Sequence, residues 1–206
     1  MFQVFFAGFE TSSTILSAFM YYMAKNPEVQ ETLYQEIHDV FEANDNGQHV
    51  DYATVNGLKY LDMALHETLR MYPLINLERV CVKDFRVPGT SFTIPTGMLV
   101  QIPTAFIMSD ARFYPEPAKF IPERFSPEAK AERSPYLFLA FGQGPRNCVG
   151  MRFALLQVKM AITRVVGNYK VLTSPKTPEQ LIVDPKKSST RPIGGFWLKL
   201  EKRNHN

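Results

Sequence analysis

Fourteen of the 15 prolines lie after residue 70, and only Pro27 precedes that point. Proline removes a backbone donor and breaks a helix interior. The first third therefore reads as helices, and the remainder as short strands, turns and meander with one more helix. Charge divides at the same place: residues 1–70 carry three Lys/Arg against ten Asp/Glu, and residues 71–206 carry 20 against ten. The basic surplus is not gathered into runs, which argues against nucleic acid as a partner. A chain of 206 residues, 45% apolar and 13% aromatic, has enough material for a packed core and is no disordered tail. Two cysteines are too few for a disulfide framework, so a reducing, intracellular setting is the default.

The opening stretch MFQVFFAGFETSSTILSAFMYYMA is apolar enough to invite a membrane-span or signal-peptide reading. It lacks a basic leader, however, and Gln3, Glu10 and a Thr/Ser cluster interrupt it. Phe2, Phe5, Phe6, Phe9, Leu16, Met20 and Met23 mostly follow three- to four-residue spacing, which predicts a helix buried in a large protein. Nothing earlier in this chain covers such a helix, so the N-terminus reads as cut, and a large exposed apolar patch is expected on it. Asn26 and Pro27 predict an N-cap and first residue of a second helix, and a loop is expected at 44–49. Asp51 can cap a short helix ending near Gly57. LKYLDMALHETLRMYP then reads as a helix with Leu58, Leu61, Leu65, Leu69 and Tyr72 on one face, stopped by Pro73. Strand signals with Pro-Gly and Thr-Gly turns fill 74–102, a short helix is expected at 105–108, and 126–139 looks irregular. A strong helix is expected at 151–166, and a hairpin at the tail, with Phe196, Leu198 and Leu200 on one strand face.

The densest chemical signal is FGQGPRNCVG, residues 141–150: a lone cysteine on a glycine-bearing loop just before a helix. Gly142, Gly144 and Gly150 allow positive φ and close backbone approach to a flat ligand. Cys148 precedes a helix N-terminus, whose unpaired N–H groups and dipole favour a thiolate, and Arg146 adds positive charge. A thiolate held by N–H donors and screened by Phe141 suits a soft axial ligand to haem iron. Any single cysteine taken alone is more simply a buried small hydrophobe, and Cys81 is read that way. Zinc would need further Cys or His nearby, whereas His38, His49, His66 and His205 are scattered. A Cys-His nucleophile stays open, since such partners can be distant in sequence.

These residues resemble the haem-binding loop of the cytochrome P-450 haem-thiolate monooxygenases. AGFET (residues 7–11), ETLR (67–70) and PERF (122–125) agree with that family in order and separation. The resemblance spans essentially the whole chain but only the C-terminal part of the family's length. It implies a mainly α fold with small β-sheets, with residues 1–206 forming the haem-binding part of one larger domain. By resemblance, Cys148 is the thiolate ligand of haem b, held with Arg79, Phe141, Gly142, Gly144, Arg146 and Gly150. Glu67, Arg70 and Arg124 become a buried cluster pinning the helix to the meander before the Cys loop; out of context, an i, i+3 Glu–Arg pair is more simply an exposed salt bridge. Glu10 and Thr11 become an acid–alcohol pair for O–O scission, near a local kink or bulge in the first helix. Phe2, Phe5, Phe6, Ala7, Ile75 and Leu77, with the turn at 188–192, fall at substrate-facing positions. In one departure, Ile107, Met108 and Ser109 stand before Asp110 where many relatives have a His.

The implied reaction inserts one atom of O2 into a small apolar substrate, xenobiotic or hormone-like, with electrons from an NADPH-dependent reductase. LHETLRMYP and LERVCVKD look most like the animal xenobiotic-metabolising branch, insect members included. The resemblance places such a protein at the cytoplasmic face of the endoplasmic reticulum membrane, attached through the missing N-terminal part. Arg146, Arg152 and Lys159 around the Cys loop would dock an acidic electron donor. The alternative is a truncated, catalytically incompetent product that binds haem or interacts with partners as half a fold.

Overall fold

The computed structural model describes residues 2–43, 51–184 and 190–204, with side chains from residue 7 onward. Four helices make the core: α1 (Phe2–Lys25), α2 (Pro27–Ala43), α4 (Lys59–Met71) and α7 (Met151–Asn168), with the short α3 (Tyr52–Gly57) between α2 and α4. Phe19 and Met23 of α1 meet Leu33 and Ile37 of α2, Leu61 and Leu65 of α4, and Ile162 and Val166 of α7 in one buried cluster. Each such side chain contributes about 1.5–3 kcal/mol on burial. This is the stripe pattern of the sequence made solid.

Polar side chains fix how these helices meet. Gln30, 1% exposed, donates to the carbonyls of Met23 and Val171 and accepts from Val171 N, tying α1 and α2 to the strand after α7. Leu58 offers α4 no side-chain cap; instead Glu36 of α2 accepts from the N–H groups of Tyr60 and Leu61 at 2.7 and 2.9 Å. Asp51 caps α3 through Thr54 N, as expected. Asn26 differs: its side chain donates back to Tyr22 O and so closes α1.

After Pro73 come β1 (Leu77–Val80), β2 (Phe85–Arg86), β3 (Thr93–Ile94) and β4 (Leu99–Ile102), paired β1–β4 and β2–β3, both antiparallel. α5 (Thr104–Met108) follows, then a 3-10 turn over Pro122–Phe125. The stretch expected to be irregular contains α6 (Pro127–Glu132), capped by Ser126 Oγ accepting from Ala129 N, with Pro127 at its first position. The tail is also different from expectation. β6 (Leu198–Lys202) pairs not with its own neighbourhood but with β5 (Tyr169–Thr173), directly after α7, and Leu200 is half exposed. The expected loop at 44–49 and residues 188 and 189 of the expected turn lie outside the described residues. Among the described residues no helix is long and apolar enough to cross a membrane.

Candidate functional site

Glu67 and Arg70 sit one turn apart on α4 and are 0% and 2% exposed. Arg70 grips the carboxylate with two prongs, Nε to Oε2 at 2.7 Å and Nη2 to Oε1 at 2.8 Å. Its remaining donors reach Met108 O and Pro117 O, both at 2.9 Å, and Ile121 N donates to Glu67 Oε1 at 3.0 Å. α4 is thereby tied to α5 and to the meander. Arg124 completes the expected trio by charge alone: its Nε lies 3.3 Å from Glu67 Oε1 but at an angle that makes no hydrogen bond, and Nη2 donates to Glu116 O. Tyr114, which sequence reasoning missed, is fully buried with its ring 5.2 Å from the Arg70 guanidinium.

The Cys loop hangs between this cluster and α7. Leu139 N donates to Met108 Sδ at 3.4 Å, Cys148 N to Phe141 O at 2.8 Å and Asn147 N to Gly144 O at 3.1 Å. Gly142 and Gly144 take φ of 72° and 77°. A Cβ on Gly142 would stand 3.5 Å from Leu77 Cδ2, so β1 abuts the loop. Gly150 does not share their geometry: φ is −86° at the N-cap of α7, so it supplies a start to the helix and no left-handed turn. Cys148 is exposed, and its sulfur makes no hydrogen bond among the described residues; the N–H groups of Asn147, Cys148 and Met151 donate to carbonyls.

Thr11 lines an apolar cleft walled mainly by Ile15, Leu69, Phe141, Leu155 and Val158. α1 thus faces the Cys loop and α7 across an apolar gap. Thr11 Oγ1 donates to Ala7 O at 2.6 Å, the back-bonding anticipated for a kink, yet α1 runs as unbroken α-helix. Glu10 turns to another side, where Thr190 Oγ1 donates to its Oε1 at 3.4 Å. Ser12 is the second hydroxyl in the cleft wall, and its Oγ is buried without a partner among the described residues.

Other expected positions scatter. Arg146 is exposed. Arg79 is exposed with Nη1 donating to Glu78 O; it shares a face of β1 with Leu77 by the two-residue period. Ala7 and Ile75 are exposed, and Leu77 packs on the loop rather than lining the cleft. The side chains of Phe2, Phe5 and Phe6 lie outside the described residues. From Ile15 onward α1 is mostly buried, and Phe9 is its one large exposed apolar side chain among the described residues. Lys159 corrects the docking expectation: it is 5% exposed, with Nζ 2.7 Å from Asp62 Oδ1. A signal was present, since Lys159 lies four residues after Leu155 and three before Ile162, on the buried stripe.

Residues 1–200 match the family model described as Cytochrome P450. The chain is 43% identical over 202 residues to cytochrome P450 6a8 of Drosophila melanogaster, covering 97% of this chain and 40% of that protein. It is 42% identical to cytochrome P450 9e2 of Blattella germanica, covering 98% and 38%, and 48% identical to cytochrome P450 3A16 of Mus musculus, covering 80% and 32%. The chain therefore spans roughly a third to two fifths of the length of these relatives.

Proposed function

The chain belongs to the cytochrome P450 family, and we propose that residues 1–206 are the C-terminal, haem-holding part of one larger haem-thiolate monooxygenase domain. The observation that carries this reading is an exposed Cys148 at the start of α7, on a loop that also walls an apolar cleft with Phe141 opposite Thr11 of α1. The donor set fits a flat, greasy, dianionic group. A thiol is open to a metal, Val149 and Phe153 stand exposed beside it, and two exposed guanidiniums, Arg79 and Arg146, are available to carboxylates. Haem b, bound there, supplies the activation of O2 and the insertion of one of its atoms into a small apolar substrate.

The protein's own residues do the rest. Cys148 would give a bound haem its soft anionic ligand, and the Gly142 and Gly144 turns shape the loop that carries it. Arg79 and Arg146 would pair with its propionates. Thr11 keeps its hydroxyl at the cleft wall. Glu10, about 100° around the helix, faces away from that wall and relays protons from water. Exposed Arg146 and Arg152 offer an acidic, NADPH-dependent reductase a positive landing face without Lys159. The insect and mammalian relatives support a protein of the endoplasmic reticulum membrane, cytoplasmic side, acting on xenobiotic or hormone-like compounds. The alternative for the 206-residue chain by itself is that it binds haem without turning over substrate.

Loading the chain with haem and recording the reduced, CO-bound absorption spectrum tests the ligand. A thiolate-type Soret band is expected, and Cys148→Ala removes it. Persistence of that band in the alanine variant overturns the assignment.

A further inference from the structure

Glu67 and Arg70 are not the only ionic cluster built on α4. One turn earlier Asp62 gathers three cationic or basic groups from three elements. Lys159 Nζ of α7 lies 2.7 Å from Oδ1 and Lys130 Nζ of α6 lies 3.0 Å from Oδ2, while His66 Nδ1 lies 3.3 Å from Oδ2 and is within hydrogen-bond distance, 2.7 Å, of the Asp62 carbonyl. The Lys159 side chain is 6% exposed, whereas that of Lys130 is 40% exposed. The His66 ring is held between Phe125 and Phe138, with centroids 5.5 and 5.4 Å away. Phe138 and Leu139 lead into the Cys loop, and Lys159 lies about 12 Å along the helix that leaves it. A single turn of α4 therefore grips both flanks of the loop.

We propose that Asp62, through Lys159 and His66, is a positioning residue for Cys148, a second clamp that sets how far α7 and the loop advance along α4. The proposal rests on the reading of Cys148 as the haem ligand. Apolar contacts between Leu65, Val158 and Ile162 resist separation of the two helices but give little resistance to sliding. An ion pair with one short contact fixes register. A buried ammonium that a methionine would replace without loss of packing is better explained by that job than by stability, since buried pairs seldom outdo an apolar substitute. The upstream flank is held separately, by Leu139 N on Met108 Sδ and by Arg70 on Met108 O.

The test uses the 206-residue chain with Lys159→Met, Asp62→Asn, the double variant and Asp62→Glu. Amide hydrogen exchange is followed in peptides across 138–150 and, as a control, in α2. We expect Lys159→Met and Asp62→Asn to speed exchange across 138–150 by about tenfold while α2 changes by less than about twofold. The double variant is expected to speed exchange as much as the single ones, because the pair that fixes register is absent in all three, and Asp62→Glu to restore most of the protection. Where Lys159→Met does not fold, Lys159→Gln carries the same comparison. Loaded with haem and CO, the single variants are expected to lose thiolate-type absorption in favour of the thiol type. Exchange across 138–150 that rises no more than in α2 overturns the clamp. A wild-type chain without thiolate-type absorption overturns the ligand reading instead, and the exchange pattern still decides the clamp.

Discussion

Arg70 and Arg124 share a carboxylate but not a role. Arg70 makes two short bonds to Glu67 and further ones to Met108 O and Pro117 O, all in the interior. Truncating it strips a donor from two carbonyls and leaves Glu67 with only Ile121 N donating to it. Arg124 reaches Glu67 only at 3.3 Å and off-angle, and its one clean bond goes to Glu116 O. Arg70→Ala should therefore cost about 3–5 kcal/mol, the range for a broken buried pair, and Arg124→Ala about 1–2 kcal/mol. Urea midpoints of the two variants check this; equal losses would mean that the trio is symmetric. The same contrast explains what was readable. Glu67 and Arg70 follow from a helix and an i, i+3 spacing. The placement of Arg124 needed kinship, because nothing local links residue 124 to a helix 54 residues earlier.

The Cys loop shows how an element divides its constraints among residues of the same type. Gly142 combines φ of 72° with Leu77 Cδ2 at contact distance from its missing Cβ, while Gly144 has similar φ with open space around it. Gly150 has ordinary φ and open space. Gly142→Ala and Gly144→Ala should each cost about 1–2 kcal/mol in backbone strain, the first also pushing on β1, and Gly150→Ala should change stability by no more than about 0.5 kcal/mol. Thermal unfolding of the three proteins gives the order; a Gly150 variant as unstable as the others would sink it. The three glycines look alike in FGQGPRNCVG, and only φ separates them. Elements with local periodicity, such as α2, α4 and α7, were legible for the opposite reason: their signal lies within about four residues. The β5–β6 ladder was not, since it joins residues 169–173 to 198–202, and neither neighbouring sequence names its partner. α6 hid behind Ser126-Pro127, a helix start that also reads as a turn.

At the scale of the whole molecule, the Asp62 junction joins α4, α6 and α7, and its titration sets how the fold answers acid. Burial pushes the His66 imidazole below its ordinary 6.5, with Lys130 and Lys159 adding to the push and Asp62 opposing it. For Asp62, burial acts upward, but His66, Lys159 and Lys130 outweigh it and hold the carboxyl at about 2. Both folded values are depressed, so for both groups the unfolded chain takes up the proton first as pH falls. The part of stability linked to His66 is present above pH 6.5 and is lost as pH falls towards its lower folded value. The part linked to Asp62 is present above its unfolded value of 3.8 and is lost as pH falls through about 2. Two separate declines are thus expected in the thermal midpoint. His66→Gln should flatten the decline just below pH 6.5 and leave the acid one, whereas Asp62→Asn should lower the plateau near pH 7 and flatten the decline between pH 4 and 2. Melting curves from pH 7 to 2 decide this: a His66→Gln profile running parallel to wild type down to pH 5 would show that the junction does not govern acid response. Because the same junction grips α7 just beyond Cys148, the first decline should be matched by faster amide exchange across 138–150 before α2 loosens, which makes the Cys loop the part of the fold that acid reaches first.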